Sequence, residues 1–190
     1  MTQQVLSSAG AIKESNSFGN AGYGTSLPAS PTDGMEYILV DSVTLPTYQW
    51  RLRYNTGSSN TDKWEFVGGI PAGVEITTGE ATSSSSYADL ATAGPSFTVP
   101  RAGRYMIAFG ADINQGTAGG KMAVKLGAAA TADNEMVIAA LFNFRGTVAR
   151  TLPSRTLAAS DVLKCQYLNT SSASTTFTGR FLTVTPIRVS

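Results

Sequence analysis

The sequence predicts an all-β protein, in which a small antiparallel β module is followed by a β-sandwich or jelly roll. Short runs that alternate apolar and polar residues recur along the chain, and turns rich in Gly, Pro, Asn and Asp separate them. No stretch has the strong 3.6-residue period of an amphipathic helix. Only 14% of the 190 residues are charged, against roughly 25% in ordinary soluble domains, so the polar surface comes from Ser, Thr, Asn and Gln, which favours strands and turns.

The first segment, residues 1–26, is rich in Ser, Asn and Gly, and its apolar residues are scattered. Alone, it buries too little apolar surface to offset the entropy lost on ordering. Two interpretations stay open. The segment is either an unstructured terminus, or an extended arm that orders against a partner subunit or a particle lattice. The arm would dock through Val5, Leu6 and Ile12.

Residues 27–69 form the predicted small β module. A Pro-rich turn over residues 27–34 is followed by strand-like runs at 36–40, 48–54 and 63–67, the last of which is predicted to stop at Gly68-Gly69. Alternation over 48–54 places its aromatic residues on one face. Trp50, Tyr54 and Trp64 are therefore either the core of the module or stacking platforms for a glycan.

Residues 74–190 form the predicted second unit, separated from the module by a junction at 70–73. Strand-like runs lie at 74–78, 96–99, 104–113, 121–126, 136–144, 146–152, 162–168 and 176–185. Many short strands with Gly-rich turns are typical of a sandwich or jelly roll.

The composition argues against several functional classes. The chain has no histidine and one cysteine, Cys165, which we expect to be buried and inert. Asp112, Asp133, Glu135 and Asp161 form no catalytic motif. Asp133-Asn134-Glu135 offers oxygen ligands of the kind calcium takes, but it lacks the regular spacing of a known calcium loop and is more typical of a solvated turn. We therefore expect no enzymatic activity, no catalytic or metal site and no cofactor.

Charge and hydropathy argue against two kinds of partner. The net charge is +1 and there is no basic block, which is unlike a nucleic-acid-binding protein. No run approaches the roughly 18 apolar residues of a membrane span, so we expect no membrane insertion. The N-terminus has no secretory signal pattern, which predicts synthesis and assembly in a cytoplasm.

Two stretches resemble known families. Leu27-Pro28-x-x-Pro31-x-Asp33-Gly34, followed by Trp50-x-Leu52-Arg53-Tyr54 and Lys63-Trp64-Glu65-Phe66-Val67-Gly68-Gly69, resembles a module of tail, head-fibre and decoration proteins of tailed bacteriophages. Phe97-Thr98-Val99-Pro100-x-Ala102-Gly103-x-Tyr105, with Leu157 to Leu163 and Phe177 to Leu182, resembles the jelly roll of the tumour necrosis factor and complement globular-head superfamily. In the second stretch, Ser160 stands where that superfamily has the Gly of a Gly-Asp turn.

These resemblances imply a homotrimer on the exterior of a phage particle. Tyr105, Phe109, Tyr167, Phe177 and Phe181 could supply the trimer interface, and the alternative is that all five belong to the core of one chain.

The functional expectation is a virion structural protein, made in the host cytoplasm and located on the virion surface. The brevity of the chain favours a capsid decoration or head-fibre protein, with the major capsid protein or tail proteins as partners and host polysaccharide as a further ligand. The main alternative is a tail-tip or tail-fibre receptor-binding protein that recognises host glycans. A polysaccharide-cleaving enzyme is the third and weakest hypothesis.

Overall fold

The computed structural model describes residues 21–115, 119–131, 136–139, 145–170 and 174–190. Over these residues the chain forms strands, turns and bends without any helix, so the all-β prediction is confirmed. Among them there is consequently no helix long and apolar enough to cross a membrane. The strands are β1 (Gly22–Gly24), β2 (Glu36–Val40), β3 (Gln49–Tyr54), β4 (Trp64–Ile70), β5 (Ala72–Ile76), β6 (Glu80–Thr82), β7 (Ser96–Thr98), β8 (Gly103–Gln115), β9 (Gly120–Leu126), β10 (Met136–Ala139), β11 (Arg145–Leu157), β12 (Val162–Asn169) and β13 (Thr175–Val189).

The larger of two sheets is organised around β13. Its strand order is β1-β2-β3-β4-β13-β8-β11, and β5 and β6 also pair with β13. β13 pairs with β8 along one edge, and with β6, β5 and β4 in succession along the other. The pairings are antiparallel except for β1 with β2, which is parallel. One long strand thus connects the N-terminal strands to the rest of the fold.

The smaller sheet has the order β10-β9-β12-β7 and packs against the larger one. Along β12, Leu163, Cys165 and Tyr167 are fully buried, while the residues between them are partly exposed, as alternation predicts. The ring of Tyr167 lies 4.9 Å from that of Phe177 on β13. The two sheets therefore share one hydrophobic cluster.

That cluster also includes side chains of the N-terminal strands. The ring of Trp50 on β3 lies 6.0 Å from that of Tyr105 on β8, and β4 pairs with the C-terminal end of β13. The predicted division into units at 27–69 and 74–190 stays a prediction, but the two segments bury their apolar faces together.

Several predicted boundaries differ from the structure. β4 continues through Gly68 and Gly69 to Ile70 instead of stopping at the glycines, because both adopt positive φ and a β-bulge opposite Arg51 and Leu52 absorbs the extra residue. β1 lies inside the segment predicted as the arm (1–26), and β1 and β6 are too short to give a periodic signal. β11 extends beyond the predicted run 146–152.

Candidate functional site

The predicted glycan-stacking residues lie in the core. Trp50 and Trp64 are 0% and 3% exposed. Trp50 stacks on Tyr48 at a centroid distance of 4.3 Å, and the partly buried Tyr54 meets Trp64 edge-on at 5.1 Å. A sugar ring stacks only on an accessible aromatic face, so the interpretation of Trp50 and Trp64 as platforms is corrected. They are the core that the small module needs, which was the alternative interpretation.

Four of the five predicted trimer-interface residues are also internal. Tyr105, Phe109, Tyr167 and Phe177 are 0% exposed and lie between the two sheets of one chain. Residues that are already buried in the protomer offer no surface to a second subunit, so their interpretation as interface residues is corrected. Phe181 differs, because it is only partly buried and points to the opposite side of β13.

The outer face of the larger sheet has an uncharged centre around Phe181. Three cross-strand rows form it, namely Ala149–Gly110–Phe181, Thr151–Ala108–Thr183 and Met106–Thr185. We call this surface of the larger sheet, centred on these eight residues, the outer face. Met106 is 39% exposed, and Gly110 and the alanines keep the surface low. Charged side chains surround this centre, with Glu75 beside Phe181, Asp112 at one end and Arg104 at the other.

Arg180 occupies the core next to this face. Its side chain is 0% exposed, and its Nη2 lies 3.3 Å from Glu80 Oε2. Nη1 donates to the carbonyl of Thr92 at 3.0 Å and Nη2 donates to the carbonyl of Thr78 at 3.3 Å. The guanidinium carbon lies 5.5 Å from the ring centroid of Tyr167. Arg180 thus fastens the connection between β5 and β7 to β13.

A β-bulge explains why Arg180 points inward. Between the pairs Thr178–Asp112 and Phe181–Gly110, β13 uses one residue more than β8. Gly179 sits at the bulge with φ of 55°, a conformation that glycine adopts without steric cost. Arg180 was not among the predicted site residues, although a glycine inside a strand pattern was the available signal.

Two carboxylates also stabilise loops, by accepting hydrogen bonds from loop residues. Glu80 accepts from the backbone N–H and the hydroxyl of Thr92, at 3.0 and 2.6 Å, and these bonds, with the charge of Arg180, hold the pKa of Glu80 below its usual value. Asp41 accepts from the N–H of Thr47 at 2.8 Å. Burial alone would raise the pKa of Asp41, but its hydrogen bonds outweigh burial and lower it.

The single cysteine is buried as predicted. Cys165 is 0% exposed on the inward face of β12, and burial raises the pKa of its thiol far above the usual range. Within the described ranges, no group of three or more His, Cys, Asp or Glu could hold a metal ion. The predicted arm residues Val5, Leu6 and Ile12, and the predicted solvated turn 133–135, lie outside the described residues.

A shallow groove crosses the outer face of the smaller sheet. One part, of about 440 Å³, is lined by Ser86, Tyr87, Lys125, Ala130, Thr131, Gln166 and Leu168. A second part, of about 380 Å³, is lined by Ser85, Lys121, Leu168, Asn169 and Thr170. Leu168 belongs to both parts, so they adjoin. We call the two parts together the sheet groove.

The floor of the sheet groove is held by hydrogen bonds. Gln166 accepts from the hydroxyl of Thr131 and donates to Asp89 Oδ1 at 3.2 Å. Lys164 forms an ion pair with the same carboxylate. Burial alone would raise the pKa of Asp89, but the bonds from Lys164 and Gln166 and the charges of Lys164 and Lys125 lower it.

Comparisons with known proteins give no family. No protein-family model matches the chain, and no curated protein matches it. Among solved structures, similarity is found to Eiger TNF from S. frugiperda, at 11% identity and a TM-score of 0.46, over 62% of this chain and 91% of that one. It is also found to an apo cyclase from Fischerella sp., at 14% identity and a TM-score of 0.32, over 90% and 95% of the two chains.

A third similar structure is a xylanase 10B of Clostridium thermocellum, comprising CBM22-1 and GH10 modules in complex with xylohexaose. Its identity is 9% and its TM-score 0.29, over 82% of this chain and 25% of that one. With TM-scores below 0.5, none of the three supports an inference about the function of this chain.

Proposed function

We propose that the chain is a non-enzymatic structural protein of the exterior of a tailed bacteriophage, which assembles as a homotrimer and serves as a capsid decoration or head-fibre protein. The phage assignment is supported by the sequence resemblance of residues 27–69 to modules of virion surface proteins. We propose further that β7 to β13 form a jelly roll of the tumour necrosis factor type, which is supported by the sequence resemblance within residues 97–182.

The outer face is the observation that carries the proposed assembly. It combines an uncharged centre containing Phe181 and Met106 with a charged surround, which is the anatomy of an interface with a dry core and a polar rim. Its small residues would let a second copy approach closely. We therefore move the proposed trimer contact from the buried aromatic residues to this face.

The N-terminal strands carry the proposed contact with the particle. Large apolar side chains are exposed there at Tyr23, Val43, Leu45, Val67 and Ile70, with Leu45 82% exposed. The loop that carries Leu45 is stabilised by an internal hydrogen bond, in which the backbone N–H of Leu45 donates to the hydroxyl of Ser42 at 3.2 Å. A preformed loop that presents apolar side chains is suited to docking. We propose that these residues and the arm contact the major capsid protein.

The test of assembly is the oligomeric state of the purified protein by light scattering coupled to size exclusion. We expect a trimer for the parent chain and a shift to monomer for Met106→Lys, because three lysines would be brought into one apolar contact. Val162→Lys is the matched control, since Val162 is 43% exposed on the other sheet. A monomeric parent chain, or a trimer that Met106→Lys leaves intact, would contradict the proposed assembly.

The test of location is antibody labelling of purified particles. Many labels spread over the head are expected, and deletion of residues 1–20 should remove them if the arm is the anchor. A few labels confined to the tail end would instead support the second candidate function, a tail-tip or tail-fibre protein that recognises host glycans. The sheet groove is the observation that favours this second candidate.

A further inference from the structure

The sheet groove has an unusual combination of chemical groups. Tyr87 presents an aromatic ring, Ser85 and Ser86 present hydroxyls, and Lys121 and Lys125 present ammonium groups. A groove that joins one aromatic side chain to several hydrogen-bonding groups is suited to a polar ligand of extended shape. Its two parts, of about 440 and 380 Å³, each fall within the roughly 300–1,000 Å³ of typical ligand sites.

The sheet groove is held ready by the fold. Ala88 pairs with Tyr167 on β12, with backbone bonds of 2.9 Å in both directions. Because Tyr167 points into the core, the residues on either side of Ala88 lie on the outer face of the smaller sheet. This places Tyr87 at one wall, while the bond from Thr131 to Gln166 fixes the opposite wall. A ligand therefore meets walls that are already ordered, which lowers the entropic cost of binding.

The described residues of this face carry a net positive charge. Lys125 and Lys164 lie opposite each other on β9 and β12, and Lys121 lies opposite Leu168. Among the described residues of this face, three lysines meet one carboxylate, Asp89. Lys164 is paired with that carboxylate, whereas the ammonium of Lys125 interacts with it through its charge. The ammonium of Lys125 can therefore accept an anionic partner.

We propose that the sheet groove binds an acidic polysaccharide. A sugar ring would lie against the ring of Tyr87, whose negatively polarised face attracts C–H groups. Lys125 would meet the carboxylate or phosphate groups of the polymer, and the serine hydroxyls would bond to its hydroxyls. The inference rests on the proposed role on the virion surface, and it places glycan recognition on the outer face of the smaller sheet instead of at Trp50 and Trp64.

The experiment is calorimetric titration of the full chain with three defined probes. They are a hexamer of galacturonic acid, a hexamer of glycerol phosphate and the neutral maltohexaose. We expect binding of at least one acidic probe and none of maltohexaose, with weaker binding at 300 mM than at 50 mM NaCl because salt screens the lysines. The two acidic probes separate carboxylate from phosphate recognition.

The variants place the ligand in the groove. Lys125→Gln should weaken binding about tenfold, the loss of one good charge-assisted contact, and Tyr87→Leu should weaken it by a similar factor. Arg53→Gln, which removes one positive charge from an exposed site on β3, is the matched control and should change affinity less than twofold. Near-ultraviolet circular dichroism of each variant verifies that the fold is intact.

Several results would overturn the proposal. These are no binding of either acidic probe at millimolar concentration, equal binding of maltohexaose, or equal losses in Lys125→Gln and Arg53→Gln. A groove variant that blocks attachment to the particle, in a chain that binds no probe, would identify the groove as a protein interface. The oligomeric state is measured on the same samples, so failure of the glycan inference is distinguishable from failure of the proposed assembly.

Discussion

Replacement of the buried Arg180 by methionine is predicted to destabilise the protein by about 3 kcal/mol. The substitution keeps most of the side-chain volume but removes two hydrogen bonds from a charged donor, to the carbonyls of Thr92 and Thr78, each worth about 1.5–3 kcal/mol. It also removes the contact with the Tyr167 ring, worth about 2 kcal/mol when desolvated, and leaves Glu80 without its cation.

Two effects oppose this loss. Methionine needs no desolvation of a buried guanidinium, which costs several kcal/mol. In the described structure, Arg180 Nε is buried without a hydrogen-bond partner, a defect of about 1–3 kcal/mol that methionine would remove. Because these effects offset part of the loss, the expected net cost is about 3 kcal/mol, the lower end of the range for breaking a buried ion pair by removing one partner.

The assay is urea unfolding followed by the fluorescence of Trp50 and Trp64, with thermal unfolding in parallel. At about 2–4 °C per kcal/mol for a domain of this size, the midpoint should fall by about 6–12 °C. Arg51→Met, which removes a surface ion pair with Glu36, is the control and should cost less than about 1 kcal/mol. Combining Arg180→Met with Glu80→Gln should cost less than the sum of the two single substitutions.

An Arg180→Met protein that is as stable as the parent would refute the reasoning. It would mean that the desolvation cost of the guanidinium equals everything its contacts supply. Equal effects of Arg180→Met and Arg51→Met would refute it as well, because burial would then make no difference.

Other substitutions and conditions test the remaining local claims. Ser160 has φ of 70°, so Ser160→Gly should raise stability by about 0.5–1 kcal/mol and Ser160→Ala should not, measured by urea unfolding; no gain with glycine would contradict the strain. Gly69→Ala should lower the free energy of unfolding by at least about 2 kcal/mol, because the new Cβ would lie 2.0 Å from the carbonyl oxygen of Gln49 and φ is 112°. Gly73→Ala is the control, since there is open space around Gly73, and it should change stability by less than about 0.5 kcal/mol. The pKa values of Asp41 and Asp89 are lower in the folded than in the unfolded protein. Their ionised forms therefore stabilise the fold above the unfolded pKa, about 4, and this stability is lost as pH falls through the folded pKa values. A midpoint of unfolding that stays constant from pH 5 to pH 2.5 would contradict this.

Most of the longer strands were predicted from the alternation of apolar and polar residues. The run at 36–40 coincides with β2, and the run at 162–168 falls one residue short of β12. β1 and β6 were not predicted. Each spans three residues and forms by pairing with another strand, β1 with the nearby β2 and β6 with the distant β13. The sheet groove was equally inaccessible, because Tyr87, Lys125 and Gln166 become neighbours only through the pairing of distant segments.

The bulge at Gly179 shows why a correct strand assignment still grouped residues that lie on opposite faces. Phe177 and Phe181 are four residues apart, so in a regular strand they would share one face, and both were grouped as interface candidates. The extra residue in β13 changes the parity, which sends Phe177 into the core and Phe181 to the outer face. The same change turns Arg180 inward, so the buried ion contact and the proposed assembly surface depend on one local irregularity. Because of the bulge, β13 presents Phe177 to the core of the protomer and Phe181 to the opposite face, where a second copy is proposed to bind.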